Sequence, residues 1–172
     1  MTPPAALSPS PARLTPERIS AWLLAAAGTL PFLAAIADVT GIGAGWRGAG
    51  WPGSGWLGSG WFGSGWLAPV QIYGTLIASF VCGIHWGAAL FAPRGLAVIL
   101  LFASNVGALL AWLAALLPPQ PGFLLLAAIF AGLLAIDRHL RRAGLWHAWF
   151  WTLRLAISAV VVGACLWIGL AV

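Results

Sequence analysis

Five stretches of the chain, residues 19–37, 70–92, 96–117, 123–140 and 149–172, are apolar over most of their length; a long Gly- and Trp-rich segment separates the first two, and short polar or proline-containing breaks separate the others. Each approaches the roughly 20 residues that a helix needs to cross the hydrocarbon core. The pattern predicts an all-α integral membrane protein, a bundle of about five transmembrane helices making up residues 19–172. Residues 1–18 are rich in proline and polar groups, and low apolar content predicts a disordered tail. Thr15 followed by Pro16 reads as the start of the first helix. Pro31 interrupts the first span and should kink it or open one turn, freeing a carbonyl that a neighbouring helix must satisfy.

The second span carries a clustered set of polar side chains. On a helical wheel, Gly74, Thr75, Ala78, Ser79, Cys82, His85, Trp86 and Ala89 fall on one side, and Ile77, Phe80, Val81, Ile84, Ala88 and Phe91 on the other. Small residues let helices approach closely, so the first arc should face protein and the second lipid. His85 then points inward. In the third span Asn105 is expected to bond to another helix. The uniformly apolar part of the fourth, residues 123–136, would rise only about 21 Å. Either the helix continues to Leu140, with Asp137 and Arg138 snorkelling, or the bilayer thins locally, and Asp137 faces Arg141 one turn on. Pro118 to Gly122 reads as a tight turn.

Composition agrees with the pattern: 62% of residues are hydrophobic and 6% charged, against roughly 25% charged in soluble domains. A pI of about 11.2 would suggest nucleic acid in a soluble chain, but the eight basic residues, all arginine, are scattered singly or lie beside spans. Nucleic acid is not an expected partner; the lipid bilayer is. With five spans, Arg13, Arg18, Arg94, Arg138, Arg141 and Arg142 share one side and Arg47 lies on the other. That asymmetry predicts the N-terminus inside and the C-terminus outside. Cys82 and Cys165 lie in separate spans without CxxC spacing, as small core residues do. Arginine without lysine, beside abundant alanine, glycine and proline, suggests a bacterial chain.

Two stretches have rival readings. Ala35-Ile36-Ala37 before Asp38 resembles a signal-cleavage site, although the apolar run is near full span length. Residues 41–69 repeat every five residues, with Gly before each of Trp46, Trp51, Trp56, Trp61 and Trp66. Glycine and serine disfavour helix and indoles favour the membrane interface, so a flexible external Gly/Trp-rich loop is expected. A carbohydrate-binding or self-associating aromatic array is the alternative.

His85, Arg94, Asp137, His139, His147 and Arg154 converge at the inner end of this topology. Nothing among them makes a catalytic motif. The H-E-x-x-H ligand set, the G-x-S-x-G elbow and the P-loop are absent, and Glu17, the sole glutamate, lies in the tail. No metal site is expected. Haem would need facing axial ligands, for which His85 and His147 are the one arguable pair. The bland alternatives are arginines that set orientation, an Arg154 that snorkels, and a His85 that donates to a neighbouring carbonyl.

At Tyr73-Gly74, Ile77-Ala78-Ser79-Phe80 and Gly83-Ile84-His85-Trp86-Gly87 the chain resembles the domain of unknown function 3429 family of transmembrane protein 69-like, small multi-pass membrane proteins. The likeness extends to Gly28-Thr29-Leu30-Pro31-Phe32, Asp137, Trp146, Trp151 and Leu153-Arg154, and leaves out the tail and the Trp-Gly loop. It implies a bacterial inner membrane, or the mitochondrial inner membrane if the chain is eukaryotic, and implies no activity, substrate or cofactor. It marks Tyr73, Ser79, His85, Trp86, Asp137 and Arg154 as functional or structural candidates beside Asn105. The function expected is a non-enzymatic scaffold or assembly partner, in a complex or a homo-oligomer; the alternative is a small-molecule or proton-handling carrier using His85 and Arg154.

Overall fold

The computed structural model describes residues 15–42 and 66–172. Residues 1–14 of the predicted tail and 43–65 of the Trp-Gly loop lie outside the described residues, while Pro16, Glu17 and Arg18, expected in the tail, already belong to the first helix. Among the described residues six helices follow in order: α1 (Pro16–Ala27), α2 (Leu30–Val39), α3 (Leu67–Ala89), α4 (Arg94–Leu116), α5 (Pro119–Arg142) and α6 (Ala148–Ala171). Taken together, α1 and α2 make one of five helical segments long and apolar enough to cross a membrane, with no strand among the described residues. At 1.5 Å per residue α3 to α6 each rise roughly 35 Å, more than a hydrocarbon core of about 30 Å.

The first span breaks where its proline requires. Pro31 has no N–H to continue the ladder, and the Phe32 N–H turns to the Thr29 carbonyl at 3.1 Å. The Gly28 carbonyl is thereby released, and Tyr73 Oη on α3 donates to it at 2.9 Å. Beyond the break α2 packs on α3 and α6. Phe32 and Ala35 are fully buried, with Phe32 edge-on to Phe130 at 6.5 Å. Thr40 and Gly41 end α2, Gly41 taking a φ of +76°. The Trp66 N–H reaches the Asp38 carboxylate at 3.4 Å, tying the start of α3 to the end of α2.

A second proline break joins α4 to α5. The Ala114 carbonyl would normally accept the N–H of residue 118, which is proline, and Pro119 cannot donate either. Gln71 on α3 supplies what is missing: its Nε2 donates to Ala114 O at 2.6 Å and to Leu117 O at 2.9 Å. A methyl group at Gly122 would overlap the Gln71 amide and come within 2.9 Å of Ala114 O, so the contact requires glycine there. The expected turn at 118–122 is therefore shorter than predicted. Pro119, Gln120, Pro121 and Gly122 already belong to α5, because the first turn of a helix tolerates proline.

The main core runs through the middle of the bundle and joins α2, α3, α4, α5 and α6. A smaller cluster of Ala89, Leu100 and Leu140 closes the end where α3 meets α4 and α5 meets α6, with Leu145 and Trp146 packed against it. Arg18 of α1 lies over the Trp149 ring at 5.6 Å, which brings the start of α1 to that same end. Arg18, Arg94, Arg138, Arg141 and Arg142 thus gather at one end of the molecule.

The buried face of α3 differs from the wheel at two positions. Val81 is buried and Trp86 is about half exposed. Val70, Gln71, Gly74, Ala78, Val81, Cys82, His85 and Ala89 form the buried set. The stripe is centred nearer Val81 because α3 packs against both α4 and α5, and burial follows neighbours rather than residue size.

Candidate functional site

On α5, Leu133, Asp137 and Leu140 follow at helical spacing and are all buried, so Asp137 falls on the stripe facing the bundle interior. A carboxylate there costs several kcal/mol unless it is paired and hydrogen-bonded. Three donors reach it. His85 Nε2 lies 2.8 Å from Oδ1, Trp146 Nε1 donates to the same oxygen at 2.9 Å, and Arg154 Nε donates to Oδ2 at 2.7 Å.

Local structure positions each donor. His85 shares the buried face of α3 with Ala78, Cys82 and Ala89. Trp146 is delivered by the end of α5, where Gly144 takes a φ of +78°. The Gly144 N–H donates to Arg141 O at 3.2 Å and the Leu145 N–H to Leu140 O at 3.0 Å, closing a Schellman turn. That turn folds the chain back, so that Leu145 packs by Leu140 and the indole reaches Asp137. Arg154 follows buried Leu153 in the second turn of α6.

The carboxylate binds α3, α5, the loop after α5 and α6 to one point. His85 and Asp137 are each 1% exposed, which excludes lipid and bulk water from their contact. With its proton on Nε2, His85 is the donor and Nδ1 is left as an acceptor. In that tautomer the Asp137 and Arg154 charges cancel. Two nitrogens remain buried without a hydrogen-bond partner, His85 Nδ1 and Arg154 Nη2. Chemically the arrangement can do two things: lock three helices together, and orient an imidazole whose second nitrogen is uncommitted.

The family model for a protein of unknown function, DUF3429, matches residues 18–171, nearly the whole described membrane domain. The chain belongs to the DUF3429 family. No curated protein and no solved structure matches it.

In this DUF3429 chain the candidates from sequence separate into three places. His85, Asp137 and Arg154 meet directly, and Trp146 joins them. Tyr73 sits elsewhere on α3, repairing the first span at Gly28. Ser79 is half-buried on α3, and Trp86 faces outward. Several expected pairings are replaced. Asp137 does not snorkel towards Arg141; it points inward to Arg154 and His85, while Arg141 Nη1 donates to Trp146 O at 3.4 Å. His85 meets a carboxylate instead of a carbonyl, and Arg154 is held by Asp137. His147 is exposed ahead of α6 and shares no hydrogen bond with His85 among the described residues.

Asn105 is a correction of another kind. Its Nδ2 donates to Leu101 O at 2.8 Å, one turn back on its own helix, and the side chain is exposed. The outward direction follows from its neighbour: Ser104, next to it, occupies the buried face of α4 and donates to Leu100 O at 2.7 Å. Gln71 was missing from the candidates. Its signal was readable, since a lone glutamine in an apolar span stands opposite a Pro-Pro pair that leaves carbonyls without donors.

Proposed function

We propose that this DUF3429 chain is a non-enzymatic component of a membrane assembly, a small helical bundle against which another membrane chain, or a further copy of itself, packs. The observation that carries the reading is the outward direction of Asn105, midway along α4 between exposed Phe102 and Leu109. Lipid tails offer nothing to the remaining N–H and the carbonyl of that amide, whereas a helix bearing a polar side chain at the same depth does. The ionisable cluster fits the same reading, because Asp137 is occupied by donors from its own chain. The gathered arginines support an N-terminus in the cytoplasm and a C-terminus outside, and their exclusive use supports a bacterial inner membrane.

The test is co-purification in mild detergent of the intact chain and of Asn105→Leu. The intact chain should bring a stoichiometric partner or migrate as an oligomer. An interhelical amide bond contributes roughly 0.6–2 kcal/mol, so the variant should weaken association about three- to thirtyfold. A chain that runs alone in both forms sinks the proposal.

A second reading, a small-molecule or proton-handling carrier, is favoured by the two unpartnered nitrogens, His85 Nδ1 and Arg154 Nη2. It requires that His85→Ala abolish a pH-dependent flux in proteoliposomes while the variant still folds. Loss of the fold instead assigns His85 to architecture.

A further inference from the structure

Between α5 and α6, on the outer surface of the bundle, runs a groove of about 410 Å³. Ala131, Ala135 and Ala159 form its floor, since their side chains are too short to fill the space beside two packed helices. Small residues alone would only mark close packing. Two polar groups in the same groove indicate a ligand.

The first is Ser158. It is 3% exposed and lines the groove, yet its hydroxyl has no hydrogen-bond partner among the described residues. Thr75, Ser104 and Thr152 each donate to the carbonyl four residues back in their own helices; Ser158, like the half-buried Ser79, does not, and of the two only Ser158 is buried. The second is Arg138. It follows Asp137 on α5, about 100° further round the helix, is exposed, and has neither an ion pair nor a hydrogen bond among the described residues. Asp137, the nearest acid in the chain, is already taken by Arg154 and His85.

Depth orders these groups. Arg138 and Trp151 lie at the end of the groove where α5 finishes and α6 begins, the level at which guanidinium and indole groups meet the membrane interface. Ser158 lies roughly 10 Å further in along α6, at 1.5 Å per residue, with the alanine floor beside it. From the interface inward the groove presents a cation, then, past Ala135, a hydroxyl donor level with Ala131 and Ala159, and beyond it Val162. That is the order of phosphate, acyl ester and acyl chain in a glycerophospholipid.

We propose that the α5–α6 groove holds one anionic glycerophospholipid, its phosphate on Arg138, an ester carbonyl on Ser158 and one acyl chain over Ala131, Ala135 and Ala159. A basic site between transmembrane helices on the arginine-rich side suits an anionic head group. The surrounding bilayer is as apolar as the groove, so the acyl chain contributes shape, and discrimination comes from the head group: the guanidinium–phosphate contact is opposed in a choline lipid by its own quaternary ammonium and unopposed in a net anionic one.

Native mass spectrometry of the full chain in mild detergent, titrated with phosphatidylglycerol or with phosphatidylcholine of the same acyl chains, tests the site. One phosphatidylglycerol should be retained per chain, in preference to phosphatidylcholine. Arg138→Gln should weaken phosphatidylglycerol about tenfold, the scale of a lost charge-assisted bond. Ala159→Leu, which fills the floor, should remove both lipids, and Arg142→Gln should change nothing. Thermal unfolding of each variant establishes that it is folded; both arginines and Ala159 are exposed. Equal retention of the two lipids by the intact chain overturns the proposal, as does a loss with Arg142→Gln matching that with Arg138→Gln. A photo-crosslinking side chain at Ala159 should capture lipid; capture of a protein helix in its place assigns the groove to a protein partner and also overturns it.

Discussion

Asp137 is the residue whose environment governs the most others. Three donors from different parts of the chain converge on it, so removing its charge leaves Arg154, 13% exposed, without its counter-ion. Breaking one partner of a buried pair costs about 3–5 kcal/mol, whereas replacing the whole set by apolar groups of similar volume is often neutral or stabilising. Asp137→Asn is accordingly expected to lower stability by about 3–5 kcal/mol in thermal unfolding in detergent, and the triple replacement His85→Leu, Asp137→Leu, Arg154→Met to recover most of it. If the triple variant is as unstable as the single one, the cluster does more than bind helices together. The residues themselves were legible in sequence, being ionisable groups in or beside apolar spans. Their pairing was not, because helical spacing made Arg141 the natural partner and only the packing of α6 on α5 brings Arg154 closer.

At the scale of elements, two breaks in the backbone ladder are repaired by one helix. Proline releases the carbonyl of Gly28 in the first span and those of Ala114 and Leu117 at the end of α4, and α3 answers with Tyr73 and Gln71. Gln71→Leu keeps the volume but strands two carbonyls in an apolar setting, a loss of about 1–3 kcal/mol. Hydrogen exchange should show the last turn of α4 opening in that variant while α5 stays protected from Phe123 onward; unchanged exchange at the end of α4 would show that the two bonds contribute little. The span pattern, the proline break and the need for a donor to it were readable from residue types alone. Which donor came from where was not. Val81 turned inward and Trp86 outward because α3 is flanked by α4 and α5 together, and a single-helix wheel carries no information on neighbours. Asn105 turned outward because Ser104 took the buried face of α4.

For the whole molecule, the arrangement has a polarity: arginines and the Asp137 cluster at one end, Gln71 and the proline turn at the other. The proposed orientation places the first end in the cytoplasm. Single cysteines at Arg94 and at Arg142 should therefore resist a membrane-impermeant thiol reagent in intact cells and react after permeabilisation, while one at Ile42 should react at once. The native Cys82 and Cys165 are buried and give little background. The reverse pattern would invert the orientation without changing the fold. Asp137 also has a temporal aspect. Of its partners only His85 precedes it in the chain; Trp146 and Arg154 follow it. A chain that stops short of α6 therefore carries into the membrane a carboxylate that lacks its neutralising cation.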